Sequence, residues 1–152
     1  MATSSFTGPH QFTMPAWISC APFERLLNMT ILEAAEGRAV LEMPFLIDLA
    51  QGGGLMHGGA LISLADTAVV MAIKSLIAPG SHFATIALEA KYLLPVKQGK
   101  VTARAEVFER DGRILRGRAI IHDEQDRAVV EFTSTFKIAR DTTIKGVVFK
   151  DL

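Results

Sequence analysis

Gly58-Gly59-Ala60-Leu61-Ile62-Ser63-Leu64-Ala65-Asp66-Thr67-Ala68-Val69-Val70-Met71-Ala72-Ile73-Lys74-Ser75-Leu76-Ile77 is the stretch whose reading decides the fold. It is far longer than an ordinary strand and carries no charge except Asp66 and Lys74. The pattern predicts one long helix over residues 58–77, apolar nearly all round and therefore enclosed by protein. A membrane span is the other use of such a run. An acid near its middle and the lack of a flanking aromatic belt speak against that use.

Outward from this helix the period changes from helical to two. Upstream, residues 30–35 and 38–45 alternate around Glu36-Gly37 and predict a hairpin, with Ala39, Leu41, Met43 and Phe45 on one face. Before it, Ala21-Pro22-Phe23-Glu24-Arg25-Leu26-Leu27 reads as a short helix with proline in its first turn. Downstream, residues 84–94, 101–109, 113–122 and 129–138 read as strands. In the first of these, Ala84, Ile86, Leu88, Ala90, Tyr92 and Leu94 are expected on one face. The short turns between strands require antiparallel pairing, since a parallel crossover needs about a dozen residues. The fold class is α+β: one long central helix against a curved antiparallel sheet. Residues 1–20 are expected to be a flexible lead and short N-terminal segment, 21–140 the domain and 141–152 a tail. Within the tail, Val147, Val148 and Phe149 are the one candidate strand.

Composition narrows the function. Sixteen Lys+Arg balance sixteen Asp+Glu in 152 residues, so no positive field draws the chain to nucleic acid. Low net charge with 49% hydrophobic residues favours self-association, and an oligomer is expected. Cys20 is the single cysteine, which excludes an intrachain disulfide and fits the cytoplasm. It sits among apolar neighbours and reads as an inert buried thiol. The first residues lack the basic and apolar regions of a secretory signal, and no membrane association is expected. His10, His57, His82 and His122 are scattered without metal-ligand spacing, so neither a metal nor another cofactor is expected.

Chemistry concentrates at Gln51-Gly52-Gly53-Gly54-Leu55-Met56-His57-Gly58-Gly59 and at Asp66. Two glycines opening a helix offer unpaired backbone N–H groups that a ligand can approach closely, next to the positive end of the helix dipole. The plainer use of such glycines is a tight turn. Asp66 is the single acid between Leu49 and Glu89, and an unpaired carboxylate among leucines, alanines and valines is costly to bury. A solvent-facing or lysine-paired aspartate is the structural alternative. An acid plus a backbone oxyanion site suffices for thioester hydrolysis, because a thiol with pKa about 8.5 leaves without a strong general acid.

The segment His57-Gly58-Gly59…Leu64-Ala65-Asp66, together with Tyr92-Leu93-Leu94-Pro95-Val96-Lys97-Gln98-Gly99, resembles the PaaI-like (phenylacetate-degradation type) thioesterases of the hot-dog superfamily. The resemblance spans roughly residues 23–138. It implies a hot-dog fold and hydrolysis of an acyl-CoA, with CoA entering as part of the substrate and not as a cofactor. It further implies that Asp66 is the nucleophile or general base, that the Gly58 N–H polarises the carbonyl, and that His57 supports the loop. Gln51 stands where relatives commonly carry an asparagine, and Thr85 matches a hydroxyl residue that helps hold water. Such enzymes are homodimers or homotetramers with the active site at the subunit interface. A non-catalytic acyl-CoA-binding sensor is the alternative. A hot-dog dehydratase lacks its H-F-x-x-x-P-x-x-P-G signature here. Lys91, Lys97, Arg104, Arg116 and Arg118 are candidates for CoA phosphates, although a solvated sheet face explains each of them too.

Overall fold

The structure is a computed structural model that describes residues 7–141 and 143–151. The hairpin forms as the alternation predicts, with β1 at Thr30–Ala35 and β2 at Arg38–Pro44. Its two-residue turn carries positive φ at both positions, 52° at Glu36 and 75° at Gly37, the backbone that matches strand twist. The helix α1 (Pro22–Leu26) precedes it. A one-turn 3-10 helix at Ile47–Leu49 and a glycine loop then lead into the long helix α2 (Gly58–Lys74). β3 (Phe83–Tyr92), β4 (Lys100–Asp111), β5 (Ile114–His122) and β6 (Ala128–Ile138) complete one open, six-stranded sheet in the order β1-β2-β4-β5-β6-β3. All neighbours run antiparallel. β3, first after the helix, therefore lies at the far edge beside β6.

α2 ends three residues before the expected position. Ser75 bonds the Ala72 carbonyl through its hydroxyl at 2.6 Å while accepting from the Gly37 N–H at 2.9 Å. The next amide, Leu76, takes the tighter three-residue bond to Ile73 at 2.9 Å. The orphan carbonyl of Lys74 is satisfied by the indole N–H of Trp17 at 2.9 Å, and the Lys74 ammonium returns a bond to the Trp17 carbonyl at 3.1 Å. The segment ahead of α1 is thus pinned to the helix terminus at Trp17. Val147, Val148 and Phe149 form no strand. The chain there makes only an isolated bridge between His10 and Lys150, too few residues to extend the sheet. Residues 1–6 of the expected lead lie outside the described residues.

The helix crosses the concave face of the sheet. Leu64, Met71 and Ile73 from the helix meet Leu41, Met43, Leu115, Ile121 and Phe136 from the strands, all nearly or wholly buried. Helix and sheet come close at Gly117 of β5, where an added Cβ would stand 2.4 Å from Val69 Cγ1 and 3.4 Å from the Glu106 carbonyl. Valine in a helix has one strongly preferred rotamer and cannot swing aside. Gly117→Ala is expected to destabilise the fold by ~1–3 kcal/mol through overpacking. The urea midpoint should fall with an unchanged slope, and Val69→Ala should recover part of the loss. A midpoint equal to the parent's would show that the helix does not sit so close.

One helix stripe escapes this enclosure: Ile62, Ser63, Asp66 and Val70 are only half-buried. No helix among the described residues is long and apolar enough to cross a membrane.

The uniform alternation expected along the first strand after the helix is corrected by a bulge between Thr85 and Ala87. Residues opposite one another share a face. Phe83 and Thr85 oppose Ile138 and Phe136 on the inner side, and after the bulge Leu88, Ala90 and Tyr92 oppose Ser134, Phe132 and Val130 on that same side. Ala84 and Ile86 therefore leave the face assigned to them. The extra residue changes parity, and that change turns Thr85 inward.

Candidate active site

Residues 50–56 fold into a small closed loop ahead of α2. Ala50 bridges Met56, the Gln51 N–H bonds the Leu55 carbonyl at 2.8 Å, and Gly54 takes φ of +89° at the return. The side-chain oxygen of Gln51 accepts the Gly53 N–H, so its amide is turned onto its own loop. His57 is the N-cap: its Nδ1 accepts the Gly59 N–H at 2.8 Å. An accepting Nδ1 is unprotonated, which puts the ring proton on Nε2 in the neutral imidazole. His57 thereby serves the helix terminus, holding the glycine turn with a bond typically worth ~1 kcal/mol. Its main-chain N–H is tied to Leu49 at 2.7 Å, and that of Met56 to Val96 at 3.0 Å.

One donor is left over. The amides of Ala60 and Leu61 reach the His57 carbonyl at 3.0 and 3.3 Å, and Gly59 is capped by the imidazole. The Gly58 N–H has no acceptor among the described residues. It opens toward a cavity of about 560 Å³ that Gln51, His57, Gly58, Tyr92, Leu94 and Val96 help to line. An unpaired N–H at the positive end of a long helix suits an oxygen that gains negative charge.

Asp66 lies on the half-buried stripe of α2. The hydroxyl of Thr85 approaches both carboxylate oxygens, at 2.9 and 3.2 Å. Burial pushes the Asp66 carboxyl above the ordinary carboxylate range, and the Thr85 hydrogen bond opposes that rise. A carboxylate of raised basicity, held by one neutral donor, is suited to accept a proton or to attack an electrophile. If the ionised form is the reactive one, activity declines as pH falls through the raised pKa. Thr85→Val removes the opposing hydrogen bond and raises the pKa further. The acid limb of the kcat/KM profile should move to higher pH in this variant; an unmoved limb would separate the rate from Asp66 ionisation.

The five residues expected to form one site fall into two groups. Gln51, His57 and Gly58 meet at the helix start, while Asp66 and Thr85 meet two turns along it. Eight positions of helix separate Gly58 from Asp66, a rise of ~12 Å. That distance is too great for both to act on one carbonyl carbon and its oxygen within a chain. Among the basic candidates, Arg116 and Arg118 pair with Glu109 and Glu106 at 3.4 and 3.3 Å on the outer face of the sheet, opposite the helix. Cys20 is half-buried, and burial together with Glu24 pushes its thiol up, away from the reactive thiolate. One contact of the site was not legible in advance. Tyr92, read as part of a strand face and as the start of the Tyr92–Gly99 element, places its ring against Gly58.

Comparison with known proteins bears on the family and the fold. A profile of the thioesterase superfamily matches residues 53–130, from the glycine loop into β6. ComA2 of Bacillus subtilis, provisionally named an esterase, is 34% identical over 105 residues, covering 68% of this chain and 82% of its own. Among solved structures, the PaaI protein of the Escherichia coli phenylacetic acid degradation operon superposes with a TM-score of 0.73. It is 28% identical, over 78% of this chain and 85% of that one. The conserved protein PA5202 of Pseudomonas aeruginosa gives a TM-score of 0.76 at 26% identity, over 81% and 97% of the two chains.

Proposed function

Since this chain belongs to the thioesterase superfamily, with the hot-dog fold and the hydrolase chemistry of that family, we propose that its substrate is an acyl-CoA and that Asp66 and Gly58 perform the hydrolysis. The observation that carries this reading is the unpaired Gly58 N–H, ~12 Å along one helix from a half-buried carboxylate. Such a separation is bridged when the two groups come from different subunits. The sheet edge supports this, because β3 leaves Ile86, Leu88 and Tyr92 about half exposed, followed by Leu93 and Leu94. An exposed apolar edge strand is a ready surface for a second copy. The expected assembly is a homodimer or a pair of dimers, acting in the cytoplasm.

In this reaction the thioester carbonyl oxygen rests on the Gly58 N–H. Asp66 of the partner subunit either takes a proton from water, whose oxygen bonds the carbonyl carbon, or forms that bond itself. Negative charge moves to the carbonyl oxygen, where the N–H stabilises it. When the charge returns, the C–S bond breaks and its electron pair leaves on the CoA sulfur. In the water route the proton held by Asp66 then passes to the thiolate. In the covalent route water hydrolyses the acyl-aspartate in a second step. The Thr85 hydroxyl orients the carboxylate throughout.

Release of free thiol from a panel of aryl and medium-chain acyl-CoAs tests this directly. Phenylacetyl-CoA heads the panel because of the operon that encodes the Escherichia coli relative. Turnover of at least one member is expected, and no release from any would remove the proposal.

A further inference from the structure

We propose that Tyr92 is a second donor to the thioester carbonyl, its phenol O–H converging with the Gly58 N–H on one oxygen; this deepens the thioesterase reading and rests on it.

Tyr92 is the last residue of β3 and lies opposite buried Val130, so it faces the helix side of the sheet. A Cβ built on Gly58 would stand 2.8 Å from the Tyr92 hydroxyl and 3.0 Å from ring atoms Cε1 and Cζ. In an α-helix every Cα–Cβ bond tilts toward the N-terminus. The hydroxyl is therefore close to the first residue of α2, whose N–H, like those of any first helical turn, has no partner within the helix. The phenol has no hydrogen-bond partner among the described residues, and its side chain borders the same cavity of about 560 Å³ as Gly58.

Two unpaired donors thus flank one small space. Packing alone would be served equally by phenylalanine, and the ring is 57% exposed, so burial of apolar surface does not account for the hydroxyl. Its location does, if an acceptor enters between phenol and amide. Glycine at position 58 then serves twice: for substrate approach, and because a Cβ there would press on the phenol oxygen at 2.8 Å. The phenol keeps its proton throughout, contributing a hydrogen bond that strengthens as charge grows on the carbonyl oxygen.

The experiment is steady-state hydrolysis of the best acyl-CoA by Tyr92→Phe. Loss of one oxyanion donor predicts a fall in kcat of ~100-fold with KM little changed. Tyr92 is also the only tyrosine of the chain, so biosynthetic 3-fluorotyrosine replaces this side chain alone and without a mutation. Fluorination makes the phenol more acidic. If the proton on Tyr92 is needed, the alkaline limb of kcat shifts to lower pH in the fluorinated protein; a ring that only packs leaves that limb in place. This second readout stands even if the phenylalanine variant folds poorly. Parental kcat in Tyr92→Phe, or an unmoved alkaline limb, overturns the role of the phenol. Should Asp66→Asn be inactive in the same assays, the thioesterase reading survives that outcome. Should the parent release no CoA at all, both fall together.

Discussion

Asp66→Asn is expected to lower kcat by ~10³–10⁴-fold, the range lost when an essential carboxylate or base is removed from a hydrolytic site. The amide keeps the size and planarity of the carboxylate, and its carbonyl can still accept the Thr85 hydroxyl. What it loses is the ability to take a proton or to attack. Binding should change little, so the loss is expected in kcat and not in KM. Stability should move the other way. Burial raises the Asp66 pKa, so the folded protein holds this proton more tightly than the unfolded chain does. Across the window between the ordinary carboxylate value and the raised one, the native state binds more protons, and stability falls as pH rises. The asparagine variant lacks that slope and should be at least as stable as the parent at neutral pH. Urea midpoints measured across the acid range, beside thiol release, check both halves. An active variant would contradict the first, and a destabilised one the second.

Gly58→Ala should also damage activity, though less than Asp66→Asn, and be harmless to folding. Its methyl group would lie 2.8 Å from the Tyr92 hydroxyl, closer than atoms of these kinds pack. Tyr92 is half-exposed and can yield, but it lines, with Gly58, the cavity in which the proposed reaction seats the carbonyl. A displacement of about an ångström at a reacting centre is enough for a loss of ~100-fold in kcat/KM. Alanine is a better helix former than glycine, so the thermal midpoint should stay level or rise. A folded Gly58→Ala protein with parental kcat/KM would mean that no carbonyl approaches this backbone.

Much of this architecture is legible in the sequence because local chemistry and tertiary structure agree. The apolar run around Asp66 has only one economical use in a chain of this size, a helix enclosed by a sheet. Glu36-Gly37 occupies a turn that needs two positive φ values, and the hairpin follows from it. Asp66 stands out as the candidate acid because a carboxylate among leucines, alanines and valines has no evident structural purpose of its own. The parts that were not legible depend on distant partners. The bulge at Ile86 leaves no mark in the alternation of β3, since it arises from how Thr85 and Ala87 register against Phe136 and Thr135. The helix stops at Lys74 because Trp17, far upstream, and Ser75 satisfy its end. The hydroxyl of Tyr92 gains meaning only once β3 is placed at the sheet edge beside the helix start. Gln51 reads as a site residue, while its amide oxygen is engaged by the Gly53 N–H of its own loop.

The central claim is that the carboxylate of one subunit works on a carbonyl held by the glycine turn of another. Mixing two crippled proteins tests it most directly. Asp66→Asn and Gly58→Ala, each nearly inactive alone, are unfolded together and refolded so that subunits assort at random. Half of the dimers are then mixed, and each mixed dimer contains one site with both Asp66 and Gly58 intact, so about a quarter of parental activity should return. Mixed dimers that form, as shown by a tag on one variant, and yet remain as inactive as their parents would contradict the account.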